Sequence, residues 1–283
     1  MPRLPKTQTT LRQLALILCL GSGFGGEARE LDVPVPKDPG FGTFPGKHGE
    51  IAKVPIRISQ ASSRDRAGSV LVIHGCNGPD GPSYPDWARF LSRNGFNAIE
   101  VNLFRERGLS NSCADGLEGS LTSRSSAREI EAVATWVKIQ PWSNGRVGVI
   151  GFSMGGSSVL TVSSLALSDP PRKSEIDAGV SFYPNCRHHS TRELVIPLQI
   201  HIGKDDDWTP AEPCEQLQNF WQKQPKSFEL LIYQNAHHAF DIYGLNDTFR
   251  CPRGRCTGRY DAEADKLSRA RTLEFLDQHL NRP

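Results

Sequence analysis

The sequence predicts an α/β domain: a mainly parallel central sheet flanked by helices on both faces. Three observations carry this. Short apolar runs alternate with helical stretches from Ile51 to the C-terminus. SVLVIHG (69–75) is continuously apolar and ends in glycine, as strands covered on both faces do. The 283 residues are 37% hydrophobic and 23% charged, which is globular and far from the composition of a disordered chain.

Taken in order, IAKVPIRIS (51–59) reads as a strand whose Pro55 points to a sheet edge. After strand 69–75, residues 85–94 are helical and stop at Gly95, and NAIEVNL (97–103) is the next strand. Ser126 to Glu129 forms a capping box, with Ile130, Val133, Ala134 and Val137 following at helical spacing. RVGVIGFS (146–153) is a strand, a helix starts at Gly155, and a short strand lies near 180–183. LQIHIG (198–203), a helix near 211–222 and FELLIY (228–233) follow. The last helix places Leu267, Ala270, Leu273, Leu276 and Leu280 on one face. There is no internal repeat and no break in composition, so residues 50–283 read as one domain.

The N-terminus reads differently. Arg3, Lys6 and Arg12 precede LALILCLGSGFG, and Gly26-Glu27-Ala28 offers a small-residue cleavage site. A basic leader, a short apolar core and such a site form a secretory signal, so residues 1–28 are expected to be removed and the protein to be secreted or periplasmic. Residues 29–49, with Pro34, Pro36, Pro39 and Pro45, form an extended lead-in. Without the leader the chain carries 30 basic and 30 acidic residues. That balance leaves no basic footprint for nucleic acid, and no apolar run reaches the ~18–20 residues of a spanning helix. Six cysteines remain: Cys76, Cys113, Cys186, Cys214, Cys251 and Cys256. Their spacing matches no zinc site, and in an oxidising compartment an even six implies three disulfides, with 15 pairings open.

The chemistry is carried by Gly151-Phe152-Ser153-Met154-Gly155, a G-x-S-x-G between a buried strand and a helix. This is the pattern of a nucleophile elbow, in which glycines allow a sharp turn that lifts the serine hydroxyl above the sheet. A serine needs a base, and the base needs an acid to fix its tautomer. Both follow in the order Ser, Asp, His, each after a strand: Lys204-Asp205-Asp206-Asp207 after LQIHIG, and His237-His238 after FELLIY. Strand C-termini are where open α/β sheets hold ligands. The oxyanion of the reaction needs two backbone N–H donors. Met154, next to the nucleophile, supplies one, and the loop His74-Gly75-Cys76-Asn77-Gly78 supplies the other, Cys76 being the first candidate. No cofactor is called for.

Together VLVIHGCNGP, GFSMGG, GKDDDWTP and NAHHAFD resemble the dienelactone hydrolase family of α/β-hydrolases, from about Ser69 to the C-terminus. The resemblance implies an α/β-hydrolase fold, and the short span from Asn185 to Pro197 leaves no room for a large lid. Its pattern G-x-x-D-x-x-x-P falls on Gly203, Asp206 and Pro210, and H-[GA]-F falls on His238, Ala239 and Phe240, which selects Asp206 and His238. An exported branch of the family further implies the pairs Cys76–Cys113, Cys186–Cys214 and Cys251–Cys256. The family's substrate-carboxylate arginine would fall on Arg105 or Arg107. Two departures stand out: Ser153 replaces the family's cysteine nucleophile, and Gly75 stands where it has a glutamate. Ester hydrolysis is therefore implied, the dienelactone substrate is not.

The reading is a secreted serine hydrolase for small esters or lactones. A peptidase or acyltransferase would use the same triad, and a non-catalytic binding module is a third class. Only about a dozen residues separate Asn185 from Pro197, where lids are inserted. The site should thus be open, lined by Phe152, Tyr183 and Trp208. Oligomeric state is not legible.

Overall fold

The computed structural model describes residues 28–35, 52–62, 66–113, 123–164, 174–188, 193–251 and 254–282. The expected signal peptide up to residue 27 and residues 36–49 of the lead-in lie outside the described residues.

An eight-stranded sheet organises the chain. β1 (Arg29–Pro34) pairs antiparallel with β2 (Lys53–Ser59), which pairs antiparallel with a later strand. β3 (Ala67–Ile73) is buried along its whole length, and α1 (Ser83–Arg93) returns the chain to β4 (Asn97–Val101). α2 (Ser123–Lys138), β5 (Ser143–Phe152), α3 (Met154–Ser164) and β6 (Ala178–Phe182) follow. Then come β7 (Leu198–Gly203), α4 (Glu212–Trp221) and β8 (Phe228–Tyr233). A separate ribbon, β9 (Asn246–Cys251) with β10 (Gly254–Arg259), precedes α5 (Ala262–Leu280). Across the large sheet the order is β1-β2-β4-β3-β5-β6-β7-β8, with every neighbour from β4 to β8 parallel. The chain reverses its direction of winding between β3 and β5, so the loops after these strands open onto one crevice.

Burial follows from the residue types. β6 and β7 are wholly buried, as expected of strands covered on both faces. α3 is buried at all eleven positions and is built from small residues. An added Cβ on Gly155 would come within 2.5 Å of the Ile73 carbonyl oxygen, and one on Gly156 within 2.7 Å of that of Phe182. The helix thus lies directly on the sheet backbone. Ser157, Ser158 and Ser164 return their hydroxyls to the preceding turn, as Ser158 does to the Met154 carbonyl at 3.2 Å. α1 contributes Trp87 and Leu91, both fully buried, and truncating Leu91 to Ala should cost about 2–5 kcal/mol.

Three local expectations are corrected. Pro55 does not mark the edge, because β1 pairs outside β2. Proline is tolerated there because the ladder to β4 begins only at Ile56, while Pro55 offers just its carbonyl, to Asn102 N–H at 2.9 Å. Ser126 does not cap α2, which begins at Ser123, and Glu129 turns instead to the guanidinium of Arg107. A charge-assisted fork outcompetes a backbone N–H for that carboxylate. In α5 the buried stripe is Ala264, Ser268, Thr272, Phe275, Leu276 and Leu280, while Leu267 stands 46% exposed. Thr272 is drawn inward because its hydroxyl lies 3.2 Å from His201 Nε2 on β7.

Candidate active site

Three strand ends build the site. At the end of β5 the chain turns into α3 through Ser153, whose φ of 54° lies in the left-handed region. Its flanks must be glycine: a Cβ on Gly151 would approach the Gly155 carbonyl oxygen to 2.3 Å. The turn is held by Ser153 N–H donating to the Phe182 carbonyl at 2.9 Å. Asp206 follows β7, in a turn packed so tightly on the histidine loop that a Cβ at Gly203 would meet the Ala236 carbonyl oxygen at 2.2 Å. His238 follows β8, between Asn235 and Ala239, both at positive φ. Among the described residues the non-glycine positions at positive φ are Ser153, Asn235, Ala239 and Tyr183, the last at the end of β6, so all four follow strands of the sheet. Strain concentrated this way is characteristic of functional sites.

The three side chains meet. His238 Nδ1 lies 2.8 Å from Asp206 Oδ2 and His238 Nε2 lies 3.0 Å from Ser153 Oγ. Asp206 is buried, and its other oxygen accepts the N–H groups of Trp208 (2.9 Å) and Thr209 (2.7 Å). Thr209 Oγ1 adds a contact to Oδ2 at 2.9 Å and sits 3.0 Å from the Tyr183 carbonyl. A carboxylate at Nδ1 favours the tautomer protonated there, which turns the lone pair of Nε2 toward Ser153 Oγ. The neighbours Asp205 and His237 make none of these contacts.

Met154 opens α3, so its N–H has no acceptor within the helix. Cys76 is bridged to Cys113, and its carbonyl accepts Ser112 N–H at 2.7 Å, which ties the loop after β3 to the segment beyond β4. In that loop Gly75 N–H donates to Tyr84 Oη at 2.7 Å, and Tyr84 in turn donates to Asn77 Oδ1 at 2.6 Å. A side chain at Gly75 would crowd this hydroxyl at 3.0 Å, so the position cannot take the family's glutamate without rearrangement. His74 braces the same loop, its Nδ1–H donating to the Gly75 carbonyl (2.8 Å) and its Nε2 accepting Leu103 N–H (3.1 Å). Burial pushes its pKa down to about 4, so it stays neutral. The other bridges are Cys186–Cys214 and Cys251–Cys256, the pairs that the resemblance implied.

The expected substrate-lining residues fare unequally. Trp208 is partly exposed, with its ring 4.9 Å from that of His238. Tyr183 also touches His238, at 4.6 Å, but it is buried, with its hydroxyl turned away to Asp241. Phe152 does not line an open site: it is buried among Tyr84, Trp87 and Phe182, because a strand residue preceding the elbow points into the core. The arginines are not brought to the triad. Arg105 binds Asp32 of the outermost strand at 2.9 Å. That strand lies four positions from β5, roughly 19 Å across the sheet. Arg107 is buried in a two-point contact with Glu129 and donates to the Leu103 carbonyl at 2.6 Å.

Sequence reasoning missed Thr209 and Asp241. Thr209 had a signal, since a hydroxyl residue three places after Asp206 can close a local turn. Asp241 had none. Its carboxylate is buried and accepts from Ser83 Oγ (2.8 Å), Trp87 Nε1 (2.8 Å) and Tyr183 Oη (2.7 Å), all remote in sequence.

A family model, the dienelactone hydrolase family, matches residues 57–280. The chain belongs to the dienelactone hydrolase family. Among curated proteins, one of a Bradyrhizobium species named "Probable 2-oxo-3-(5-oxofuran-2-ylidene)propanoate lactonase" is 26% identical over 197 residues, 63% of this chain and 73% of that protein. A Pseudomonas putida carboxymethylenebutenolidase is 26% identical over 151 residues, 52% of this chain and 55% of that enzyme, so this chain spans little more than half of it. Two solved structures share the α/β-hydrolase fold. Dienelactone hydrolase from Anabaena variabilis has a TM-score of 0.59 at 16% identity, over 90% of this chain and 100% of the other. A Xanthomonas campestris α/β serine hydrolase described as lacking a lid has a TM-score of 0.53 at 18% identity, over 76% and 87%. As in that description, β6 and β7 of this dienelactone hydrolase family member are joined by residues 183–197 alone.

Proposed function

We propose that this hydrolase cleaves carboxylic esters or small lactones through an acyl-enzyme on Ser153. The observation that carries the reading is the continuous relay from Asp206 through His238 to Ser153 Oγ, with the serine at positive φ at the head of a helix. His238 Nε2 takes the hydroxyl proton as Oγ attacks the carbonyl carbon, and Asp206 holds and stabilises the imidazolium. The negative oxygen is received by the N–H groups of Met154 and Cys76, the second kept in place by the bridge to Cys113. Collapse expels the alcohol, which leaves with the proton from His238. Water then attacks the acyl-enzyme by the same relay, releasing the acid and restoring Ser153. No cofactor is required by this scheme.

The named relatives support an ester or lactone as substrate. The short connection between β6 and β7, with Trp208 partly exposed beside His238, supports a site open to the surface. The leader sequence and three disulfides support export to an oxidising compartment. Among the described residues no helix is long and apolar enough to cross a membrane.

A serine-directed fluorophosphonate tests the mechanism. The wild type should be labelled on one residue and lose ester turnover in step, and Ser153→Ala should take up no label and lose at least about 10⁴-fold in kcat. Labelling at another serine, or turnover surviving in Ser153→Ala, would discard the scheme. A panel of amides and peptides hydrolysed faster than esters would favour a peptidase with the same triad.

A further inference from the structure

We propose that the outer face of the β9–β10 ribbon is a carboxylate-binding subsite, and that the substrate is an extended ester carrying a carboxylate far from the scissile bond. This rests on the ester-hydrolase reading above and extends it to the class of substrate.

The ribbon is antiparallel, with Asn246 opposite Arg259, Thr248 opposite Thr257 and Arg250 opposite Arg255. Residues directly opposite share a face, so one face carries Asn246, Thr248, Arg250, Arg255, Thr257 and Arg259. All three arginines are exposed, and among the described residues none forms an ion pair with a carboxylate. The opposite face carries Asp247, Phe249, Cys251, Gly254, Cys256 and Gly258, of which Asp247 and Gly254 are exposed while Phe249, Cys251, Cys256 and Gly258 pack inward. A slip of one residue would turn the arginines inward. Two features hold the register: the Cys251–Cys256 bridge, and Gly258, where a Cβ would meet the Phe249 ring at 2.5 Å.

Like charges directly opposite work against a ribbon's own stability, yet Arg250 and Arg255 are placed so and fixed there. An anion between them converts the repulsion into a pair of charge-assisted contacts, and the guanidinium fork matches a carboxylate. Arg255 is already oriented, its Nη2 donating to the Thr248 carbonyl at 3.2 Å.

The face also starts at the reacting groups. Arg259 N–H donates to the His238 carbonyl at 3.2 Å, and Thr257 N–H donates to Asp207 at 2.8 Å, one residue from Asp206. Phe249 backs the Trp208 ring that covers His238. Among the described residues Asp207 is the one carboxylate bound to this face, and both its oxygens are engaged by Thr257. From Arg259 the face runs four residues to Arg255, about 14 Å of strand. A carboxylate seated between Arg250 and Arg255 therefore belongs to a long substrate rather than to a small lactone. This subsite is distinct from the position of Arg105 and Arg107, both of which are committed elsewhere.

Two matched ester pairs test it: p-nitrophenyl decanoate against mono-p-nitrophenyl decanedioate on the acyl side, and the butyrates of decanol and ω-hydroxydecanoate on the alcohol side. In at least one pair, Arg250→Gln/Arg255→Gln should lower kcat/KM for the carboxylate ester about tenfold, through KM, and leave its neutral partner unchanged. The wild-type preference should also fade with added salt. Equal loss for both members, or no loss for either carboxylate ester, would overturn the subsite while leaving the triad standing. If the wild type hydrolyses none of the four, p-nitrophenyl acetate decides the ester-hydrolase reading, which fails if that too is left intact, and the ribbon is judged by binding. Trp208 fluorescence should then respond to decanedioate but not decanediol in the wild type, and to neither in the double variant. The same response in both proteins, or none in the wild type, would overturn it.

Discussion

Two buried histidines of this hydrolase, one on β7 and one after β8, differ in the partners their rings meet. His201, on β7, is completely buried, stacked 4.5 Å from Phe182 and parallel to Tyr233. Its Nε2–H donates to Gln199 Oε1 at 2.7 Å and its Nδ1 accepts from Tyr233 Oη at 2.8 Å. His238 is nearly as buried and also has both ring nitrogens engaged. The partners differ. His201 sees an amide and a phenol, and burial, with Arg271 adding to it, pushes its pKa down to about 3. His238 sees a carboxylate on one side and a hydroxyl on the other. Burial alone makes a histidine a fixed neutral spacer, and a buried carboxylate beside it supplies the charge an imidazolium needs.

The comparison can be broken most severely by giving His238 the company His201 keeps. Asp206→Asn replaces the carboxylate with an amide of the same shape, and kcat should fall by about 10⁴-fold with the fold intact. The neighbouring Asp205→Asn should be mild. Steady-state kinetics with circular dichroism as the folding control decides it, and a reversal of the two variants would move the acid to Asp205.

A smaller loss is expected behind the ring. Tyr183 packs against His238, and Asp241 holds the Tyr183 hydroxyl. Asp241→Asn leaves at least one of three buried donors without its charged acceptor, and kcat should drop about tenfold as the ring loses its backing. Unchanged kcat at full stability would confine Asp241 to the core.

Acid stability sharpens the other half of the comparison. His201 and His74 have an ordinary pKa of 6.5 when unfolded, and in the fold lie near 3 and 4. Between about pH 4 and 6.5 the unfolded chain binds more protons, so stability falls as pH falls through this window. By pH 4 each histidine should cost on the order of 3 kcal/mol relative to neutral pH. Denaturation midpoints against pH should show this slope, flattened in His201→Gln. An unchanged slope would acquit His201.

The mildest change runs the exchange backwards. Gln199→Glu offers His201 a carboxylate, and the ring should then titrate about one to three units above its present value by NMR. It should confer no new turnover, because the hydroxyl on the ring's other nitrogen is the phenol of Tyr233, which lies parallel to the buried imidazole rather than at the head of a helix as Ser153 does.

The sequence alone determined the alternation of strands and helices, the elbow around Ser153, and the order Ser, Asp, His at strand ends. These rest on local sterics and apolar periodicity, which act between residues close in the chain. It did not reveal that Arg29–Pro34 pairs outside β2, or that Asn246–Arg259 folds into a ribbon against His238. Their apolar alternation is short, Leu31 and Val33 in one and Phe249 and Cys251 in the other, and they become strands because a partner edge, or a disulfide and the His238 loop, is there to receive them. Composition likewise hid the fate of the charged and aromatic candidates. Arg105, Arg107, Phe152 and Asp241 are chemically able to serve a site, and only the tertiary fold decides which partners reach them. Arg107 finds Glu129, Arg105 finds Asp32, and Asp241 finds Ser83, Trp87 and Tyr183. A buried polar group is satisfied by whatever the packing brings within hydrogen-bond distance, and that is a property of three dimensions.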